Sequence, residues 1–510
     1  GAGTNRLNIY VIQKANVGFA KYIASLPEGK ERGVAIGYDN RHMSYKFAIE
    51  SAKVLATYGI KSYIFESLRP TPELSFAVRY LKCAGGIMIT ASHNPKEHNG
   101  YKVYDDTGCQ LLPEAADQVV QYVNEVEDEL NIKVFSDEEA YPYMTWIGEE
   151  VDEAYYKEVM AIEVNPGMDK SDFKIVFSPQ HGTSNIAVRT CLTRLGYDLV
   201  PVLAQCAPDP DFSNTKSPNP EVPASYELAI KKAKEVDADV VVITDPDGDR
   251  LGVVAKHNGE YVLMSGNQSA AVYLEYILSQ MKEKGTLPDN AVMYNTIVTS
   301  DLGELVARSY GVDVEKTLTG FKFIGDKIRK YEQTHEKTFV FGYEESYGCV
   351  IKDFVRDKDA VQAVLTAAEA GNFYKKQGKD LVDVLNELYA KHGTFKETQI
   401  ALSKAGAAGA ARIKEIMDNL RKDAPQEIGG VKVVKVEDYG NSTCSDGTTI
   451  QLPKSNVLKY YLEDGSWIAA RPSGTEPKCK FYFSIKGSDA DDAASKTEVF
   501  HKAMMEIIGE

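Results

Sequence analysis

Short apolar runs recur along the first three-quarters of the chain at matching places in a repeated order. Val34-Ala35-Ile36-Gly37, Ile175-Val176-Phe177-Ser178 and Ala291-Val292-Met293-Tyr294 each read as a strand that leads through a polar loop into a helix. Each helix is expected to end at a glycine, Gly59, Gly196 or Gly311, because glycine suits the left-handed position just past a helix. A second strand follows each glycine, at residues 63–65, 199–202 and 312–314, and a further helix and a third strand complete the unit. Three such units form an internal repeat. Strands that alternate with helices predict layered α/β domains with parallel pairing.

The third strand of each unit runs into an unusual loop. Gly86-Ile87-Met88-Ile89 leads into Thr90-Ala91-Ser92-His93-Asn94-Pro95. Val240-Val241-Val242-Ile243-Thr244 leads into Asp245-Pro246-Asp247-Gly248-Asp249-Arg250, and Thr338-Phe339-Val340-Phe341 into Gly342-Tyr343-Glu344-Glu345-Ser346-Tyr347-Gly348. Three equivalent positions with three different chemistries are what a site shared between similar domains looks like. The pattern breaks from about Thr394. A helix rich in Ala and Lys/Arg is expected over 405–420, and an alternating strand over 431–436. Trp467-Ile468-Ala469-Ala470 and Phe481-Tyr482-Phe483-Ser484-Ile485 flank the loop Arg471-Pro472-Ser473-Gly474-Thr475-Glu476-Pro477-Lys478 and predict an antiparallel pair. A capped helix is expected over 488–508. The expected architecture is three similar mixed or parallel α/β domains (1–150, 151–264, 265–390) plus a C-terminal α+β domain (391–510) around a central cleft.

Composition narrows this picture. A chain of 510 residues holds three to five domains at roughly 100–150 residues each. No apolar run is long enough to span a bilayer, and the N-terminus lacks the basic-then-apolar layout of a signal peptide. The seven cysteines are scattered with no C-x-x-C pair, which predicts reduced thiols in a cytoplasmic protein. A net charge of −16 argues against a nucleic-acid partner, although it leaves room for a local cationic pocket. The chain starts at Gly1 without a methionine, as a trimmed chain does.

The loops carry the candidate chemistry. Ser92 lies just past a strand broken by Asn94-Pro95, at a sheet edge of the kind where open α/β sheets bind ligands. Asp245, Asp247 and Asp249 alternate at spacing two, so an extended loop would bring all three to one side. Converging carboxylates repel unless a cation sits among them, and oxygen-only ligands suit Mg²⁺ first. A calcium EF-hand loop is excluded: Pro246 stands at position two, Arg250 replaces the glycine of position six, and no helix precedes. Arg471, Ser473, Gly474 and Thr475 offer a guanidinium, hydroxyls and approachable backbone N–H groups, a phosphate cradle without the Walker lysine spacing. Glu344 and Ser346, on one side of their loop, suit vicinal sugar hydroxyls. Lys102 is a candidate proton shuttle, Arg41 follows the first strand and reaches the same place, and His93 is a hydrogen-bonding helper to Ser92. The G-x-S-x-G elbow is absent. His181 is expected to be structural, and Asp489, Asp491 and Asp492 to mark a solvated helix N-terminus.

Together, and in this order, the four loops resemble the α-D-phosphohexomutases, close to the branch with phosphoglucomutase/phosphomannomutase and the related phosphopentomutase. The resemblance covers essentially the whole chain. It implies that Ser92 carries a phosphoryl group, and that Asp245, Asp247 and Asp249 bind Mg²⁺ together with an oxygen of that phosphate. It implies that Arg250 and Arg41 neutralise charge near the phosphoserine, and that Lys102 is the general acid/base. Glu344 and Ser346 would hold sugar hydroxyls, Lys322 would contact substrate, and Arg471, Ser473, Gly474 and Thr475 would grip the phosphate not being transferred. The Gly- and Arg-containing segment that family members carry before the stretch resembling residues 1–8 is missing, so no substrate-side arginine of the first domain is assigned.

The implied activity is an intramolecular phosphotransfer between hexose 1-phosphate and hexose 6-phosphate, glucose and/or mannose, with a sugar 1,6-bisphosphate as intermediate and activator. The implied partners are small sugar phosphates, with no nucleic acid and no membrane; hexose identity and oligomeric state stay open. A phosphopentomutase is the alternative enzyme. A non-catalytic sugar-phosphate sensor on the same scaffold would be favoured by loss of Ser92 or of the three aspartates, and all four are intact. A metal-dependent phosphatase would have no need of the Arg471 grip.

Overall fold

The computed structural model describes Gly3 and residues 6–404, 406–474 and 477–510. The apolar runs of the first unit are strands β1 (Val34–Tyr38), β2 (Ser62–Phe65) and β3 (Gly85–Ile89), with β4 (Lys102–Tyr104) and β5 (Met144–Ile147) added. The second unit holds β6 (Lys174–Ser178), β7 (Asp198–Pro201), β8 (Val240–Thr244), β9 (Leu251–His257) and β10 (Glu260–Met264). The third holds β11 (Ala291–Thr296), β12 (Asp313–Thr317), β13 (Thr338–Glu344) and β14 (Gly348–Val350). Strands β1, β3, β8 and β11 are buried at every position. A strand covered on both faces has no polar side, which is why its sequence is a continuous apolar run.

The sheet orders are β4-β3-β1-β2-β5, β10-β9-β8-β6-β7 and β12-β11-β13-β14. In all three, the first strand of the repeat lies between the second and the third. Pairing is parallel for β1 with β2 and β3, for β6 with β7 and β8, and for β11 with β13. Beyond the third strand each sheet adds an antiparallel return strand, β4, β9 or β14. The sheets are therefore mixed, and each special loop is the turn of a hairpin between a buried parallel strand and its return. That arrangement keeps the loop short and anchored at both ends.

Gly59, Gly196 and Gly311 stand at φ +74°, +85° and +78°, two residues past the helices Ser44–Thr57, Asn185–Arg194 and Asp301–Ser309. They play the expected role of stopping each helix in a conformation that costs other residues more.

By packing, the chain divides into two compact units: Gly1–Asn295 with Tyr310–Glu315 and Gly320–Val384, and Thr296–Ser309 with Lys316–Thr319 and Leu385–Glu510. The second compact unit is built on an antiparallel sheet of β15 (Thr394–Ser403), β16 (Glu427–Ile428), β17 (Val431–Asp438), β18 (Thr443–Cys444), β19 (Leu458–Leu462), β20 (Trp467–Pro472) and β21 (Lys478–Gly487). One face, with Leu458, Tyr460, Ile468, Phe481, Phe483 and Ile485, packs against Ile413, Ile416 and Leu420 of helix Gly406–Lys422 and Phe500 and Met504 of helix Ala490–Ile508. Each such buried side chain contributes about 1.5–3 kcal/mol over its exposed state. The last helix is capped by Asp489, which accepts from the Asp492 amide at 2.8 Å. Among the described residues no helix is long and apolar enough to cross a membrane. All seven cysteines are free thiols.

One buried carboxyl in the first compact unit sets a pH dependence. Glu73, in helix Thr71–Tyr80, is fully buried and faces Asp152, which Arg69 grips through Nε and Nη2 at 2.7 and 2.8 Å. Burial pushes the Glu73 carboxyl well above its ordinary 4.5, and the neighbouring Asp152 adds to the shift. The folded state thus holds a proton that the unfolded chain releases above 4.5, so rising pH costs stability there. Glu73→Gln keeps the shape without that loss. Calorimetric melting should show Glu73→Gln more stable than the parent at pH 8, with the gain vanishing as pH falls to the ordinary carboxyl range. A gain independent of pH would show that Glu73 is not held protonated.

Candidate active site

The loop after β3 turns at Ser92, whose φ is +51°. That is a left-handed conformation that a non-glycine residue holds only when its surroundings impose it. The Ser92 amide donates to Thr90 Oγ1 at 2.8 Å. Gly100 passes so close that a Cβ there would sit 2.3 Å from the Thr90 carbonyl oxygen. The Ser92 hydroxyl donates to Asp245 Oδ2 at 2.8 Å and lies 3.2 Å from His93 Nδ1. Burial, reinforced by Arg250, pushes the His93 imidazole down to about 2, so it is a neutral neighbour of the hydroxyl.

The loop after β8 closes as a tight turn. The Gly248 amide donates to the Asp245 carbonyl at 3.0 Å, and Gly248 itself takes φ +70°. Asp245 Oδ1 accepts from the amides of Asp249 and Arg250 at 3.1 and 3.0 Å. The three aspartates converge because the chain folds back around Gly248. The alternation of an extended loop, which the spacing suggests, is not what brings them together.

All three aspartates are buried, and one ligand oxygen from each lies within 4.8 Å of the others. Asp247 Oδ2 accepts from Thr71 Oγ1 and Lys102 Nζ, each at 3.0 Å. Lys358 Nζ lies 3.2 Å from Asp249 Oδ2. Asp247 Oδ1 and Asp249 Oδ1 are buried without a hydrogen-bond partner. Buried carboxylate oxygens with nothing to accept are costly, and a hard divalent cation would satisfy them. The residues present therefore fit a metal of the Mg²⁺ type.

The electrostatics of the cluster agree with that fit. Burial, with Asp247 and Asp249 beside it, raises the Asp245 carboxyl well above the usual carboxylate range. Burial would raise Asp247 too, but Lys102 outweighs it and holds that carboxyl low. Burial opposes the Lys102 charge, yet Asp247, Asp249 and Asp357 prevail and keep it a firm ammonium.

The other expected residues take varied positions. Arg250 donates from Nη1 to Glu221 Oε1 at 2.8 Å, and its Nε lies 3.8 Å from Asp249 Oδ1. Arg41 lies against the Ser92 loop. Its guanidinium turns to backbone carbonyls of the Ser92 loop and to Asp39. Glu344, at the end of β13, accepts from the Gly320 amide at 2.7 Å and so anchors the start of helix Phe321–Thr334, whose first turn carries Lys322. Ser346 stands in the turn between β13 and β14. In the second compact unit Arg471, next to last in β20, lies beside Tyr482 Oη, at 3.4 Å, and the Ser473 amide donates to the Lys478 carbonyl at 2.8 Å. Gly474 is exposed with open space where a Cβ would stand. Thr475 lies outside the described residues. His181 is structural, with Nδ1 2.8 Å from the Ala207 carbonyl oxygen and Nε2 accepting from the Asn214 amide at 3.3 Å.

Sequence reasoning passed over Lys358 and Thr71. Lys358 is reached through Arg356-Asp357-Lys358-Asp359, a charged run just after β14, and its neighbour Asp357 accepts from Tyr104 Oη at 2.8 Å. A run of alternating charge directly before the apolar helix Ala360–Lys375 was the available signal. Thr71 carried no local sign of its role.

Comparison with known proteins covers almost the whole chain. The phosphoglucomutase/phosphomannomutase α/β/α domains I, II and III match residues 1–130, 153–259 and 265–392, and the C-terminal domain of the same family matches residues 410–502. A Staphylococcus epidermidis phosphoglucomutase is 39% identical over 504 residues, 97% of this chain and 90% of the relative. Paramecium pp63/parafusin (phosphoglucomutase), in an open form, shares the fold with a TM-score of 0.72 at 20% identity, over 98% of this chain and 92% of that one. Aspergillus fumigatus N-acetylphosphoglucosamine mutase, in complex with GlcNAc-6P and magnesium, aligns with a TM-score of 0.52 at 15% identity, over 86% and 91% of the two chains.

Proposed function

The chain belongs to the phosphoglucomutase/phosphomannomutase family, and we propose on that footing that it interconverts hexose 1-phosphate and hexose 6-phosphate, glucose and/or mannose. The observation that carries this reading is the 2.8 Å bond from Ser92 Oγ to Asp245. It joins the half-buried hydroxyl of a strained loop to a carboxylate cluster with oxygens to spare.

Phospho-Ser92 would donate its phosphoryl group to the free sugar hydroxyl. The Ser92 Oγ–P bond breaks, the sugar O–P bond forms, and the hydroxyl proton leaves as Ser92 Oγ regains one. The resulting 1,6-bisphosphate turns end for end and returns its other phosphoryl group to Ser92, which also makes the bisphosphate an activator. Such transfers need positioning and charge neutralisation more than covalent machinery. Asp245, Asp247 and Asp249 would hold Mg²⁺, which supplies charge neutralisation at the phosphoryl oxygens when bound. Arg250 and Lys358 bring fixed positive charge to the same cluster, and Lys102, 3.0 Å from Asp247 Oδ2, is the candidate general acid/base. Glu344 and Ser346 are assigned to sugar hydroxyls, Lys322 to substrate, and Arg471, Ser473 and Gly474 to the phosphate not in transfer.

A coupled assay across glucose, mannose, glucosamine and ribose phosphates, with and without the 1,6-bisphosphate, tests the reading. Turnover of a hexose phosphate, stimulated by bisphosphate, is expected; turnover of ribose phosphate alone would replace it with pentose activity. In the same assay Arg471→Ala should raise KM in both directions. A charge-assisted phosphate contact is worth about 1.5–3 kcal/mol, or roughly 10- to 100-fold. An unchanged KM would remove Arg471 from the phosphate grip.

A further inference from the structure

Arg41 is the most heavily bonded side chain around Ser92, and none of its bonds goes to the Ser92 hydroxyl. Nη2 donates to the carbonyls of Ser92 and Asn94, each at 2.6 Å. Nη1 donates to those of Pro95 and His98, at 2.8 and 3.1 Å. Nε donates to Asp39 Oδ2 at 3.1 Å. A guanidinium has five N–H donors in a fixed planar fork, and here all five are used. The side chain is wholly buried.

The surrounding groups complete a socket. Asp39 also accepts from the Arg41 amide at 3.0 Å and from Ser44 Oγ at 2.6 Å. Ser44 Oγ in turn accepts from Asn99 Nδ2 at 2.9 Å, so both ends of the 92–99 loop are tied to the same cluster. A segment of the second sheet's domain covers the guanidinium: the Phe212 ring centroid lies 5.2 Å from Arg41 Cζ, and Phe212 is itself buried at φ +51°. The same segment is held by Asn40 Nδ2 on the Asp209 carbonyl at 2.8 Å. Asp211 Oδ1 lies 3.2 Å from both Lys96 Nζ and His42 Nε2.

We propose that Arg41 is a positioning residue: its fork gathers four carbonyls of the Ser92 loop, under the lid of Phe212, and so holds Ser92 in its left-handed conformation facing Asp245. It has no donor left for a phosphoryl group. The inference rests on the reading of Ser92 as the phosphoryl carrier. Four carbonyl dipoles aimed at one point repel without a cation among them, and a point charge cannot replace the fork. Lysine has three donors on a flexible stem and cannot serve five acceptors in one plane.

Arg41→Lys separates this role from charge neutralisation, because it keeps the charge and loses the geometry. It should lower kcat by about 100-fold, as a small misplacement of a nucleophile does, with KM within about threefold of the parent. Hydrogen exchange read by mass spectrometry should rise in peptides covering 90–100 and stay unchanged in those covering 240–250. Phe212→Ala should shift both readouts the same way to a smaller extent, and it stands in if Arg41→Lys fails to fold. Near-parent kcat in Arg41→Lys would overturn the proposal, since charge alone would then suffice. Loss of kcat with unchanged exchange over 90–100 would also overturn it, because Arg41 would then act on the phosphate directly. The exchange readout does not depend on turnover. If the parent protein converts no sugar phosphate, the functional reading fails while the test of the socket still stands.

Discussion

Ser92→Ala should abolish turnover, by at least about 10⁴-fold, and leave sugar-phosphate binding within about tenfold of the parent. The expected loss is large because Ser92 Oγ, the atom bonded to Asp245 at 2.8 Å, is the one assigned to carry the phosphoryl group. Binding should survive because the residues assigned to substrate, Lys322, Glu344 and the Arg471 loop, do not depend on that hydroxyl for their placement. The loop should also keep its path, since it is held by backbone contacts to Arg41 and by the Ser92 amide on Thr90 Oγ1, which alanine preserves. Titration calorimetry with a hexose phosphate, alongside the coupled assay, measures both quantities. Incubation with a labelled 1,6-bisphosphate should mark the parent protein and leave the variant unlabelled. Turnover near the parent level, or label retained elsewhere in the chain, would end the phosphoserine mechanism.

Asp247→Asn should lower metal affinity by more than about 100-fold, since loss of a direct ligand exceeds the 10–100-fold cost of losing a ligand's supporting partner. Activity should fall correspondingly at sub-saturating Mg²⁺. Asparagine keeps the volume and an acceptor for Thr71 Oγ1 and Lys102 Nζ, both at 3.0 Å from Asp247 Oδ2. The effect therefore isolates the lost charge from lost packing. Without metal the variant should remain folded, because removing one of three buried carboxylates relieves their mutual repulsion. Magnesium titration by calorimetry, with melting curves in chelator, checks the two halves. Parent-level activity in excess chelator would show that the three aspartates are not a catalytic metal site.

Much of this was written locally in the chain. A strand buried on both faces needs apolar residues at successive positions, so β1, β3 and β8 stand out as short continuous runs. A helix that stops before a left-handed residue calls for glycine, so Gly59, Gly196 and Gly311 marked the repeat. The chemistry of the loops was legible because hydroxyl, carboxylate and guanidinium groups sit next to one another in sequence. Local patterns of period two and 3.6, and turn residues at fixed offsets, need only neighbours to be read.

Tertiary structure decided what those groups do to one another. The antiparallel return strands β4, β9 and β14 turned simple strand-ends into hairpins, and the direction in which a following strand pairs leaves little trace in composition. The aspartates converge through a turn at Gly248, although their alternation suggested an extended path. Thr71 and Asp247 lie 176 positions apart, and Lys102 and Asp247 lie 145 apart. Arg41 was legible as a cation near the loop, but four of its five donors met carbonyls brought within reach only when the domain packed. Backbone propensity and hydrophobic period act between residues a few positions apart. Burial of a charge is settled by whichever distant segment packs over it, and no local rule specifies that partner.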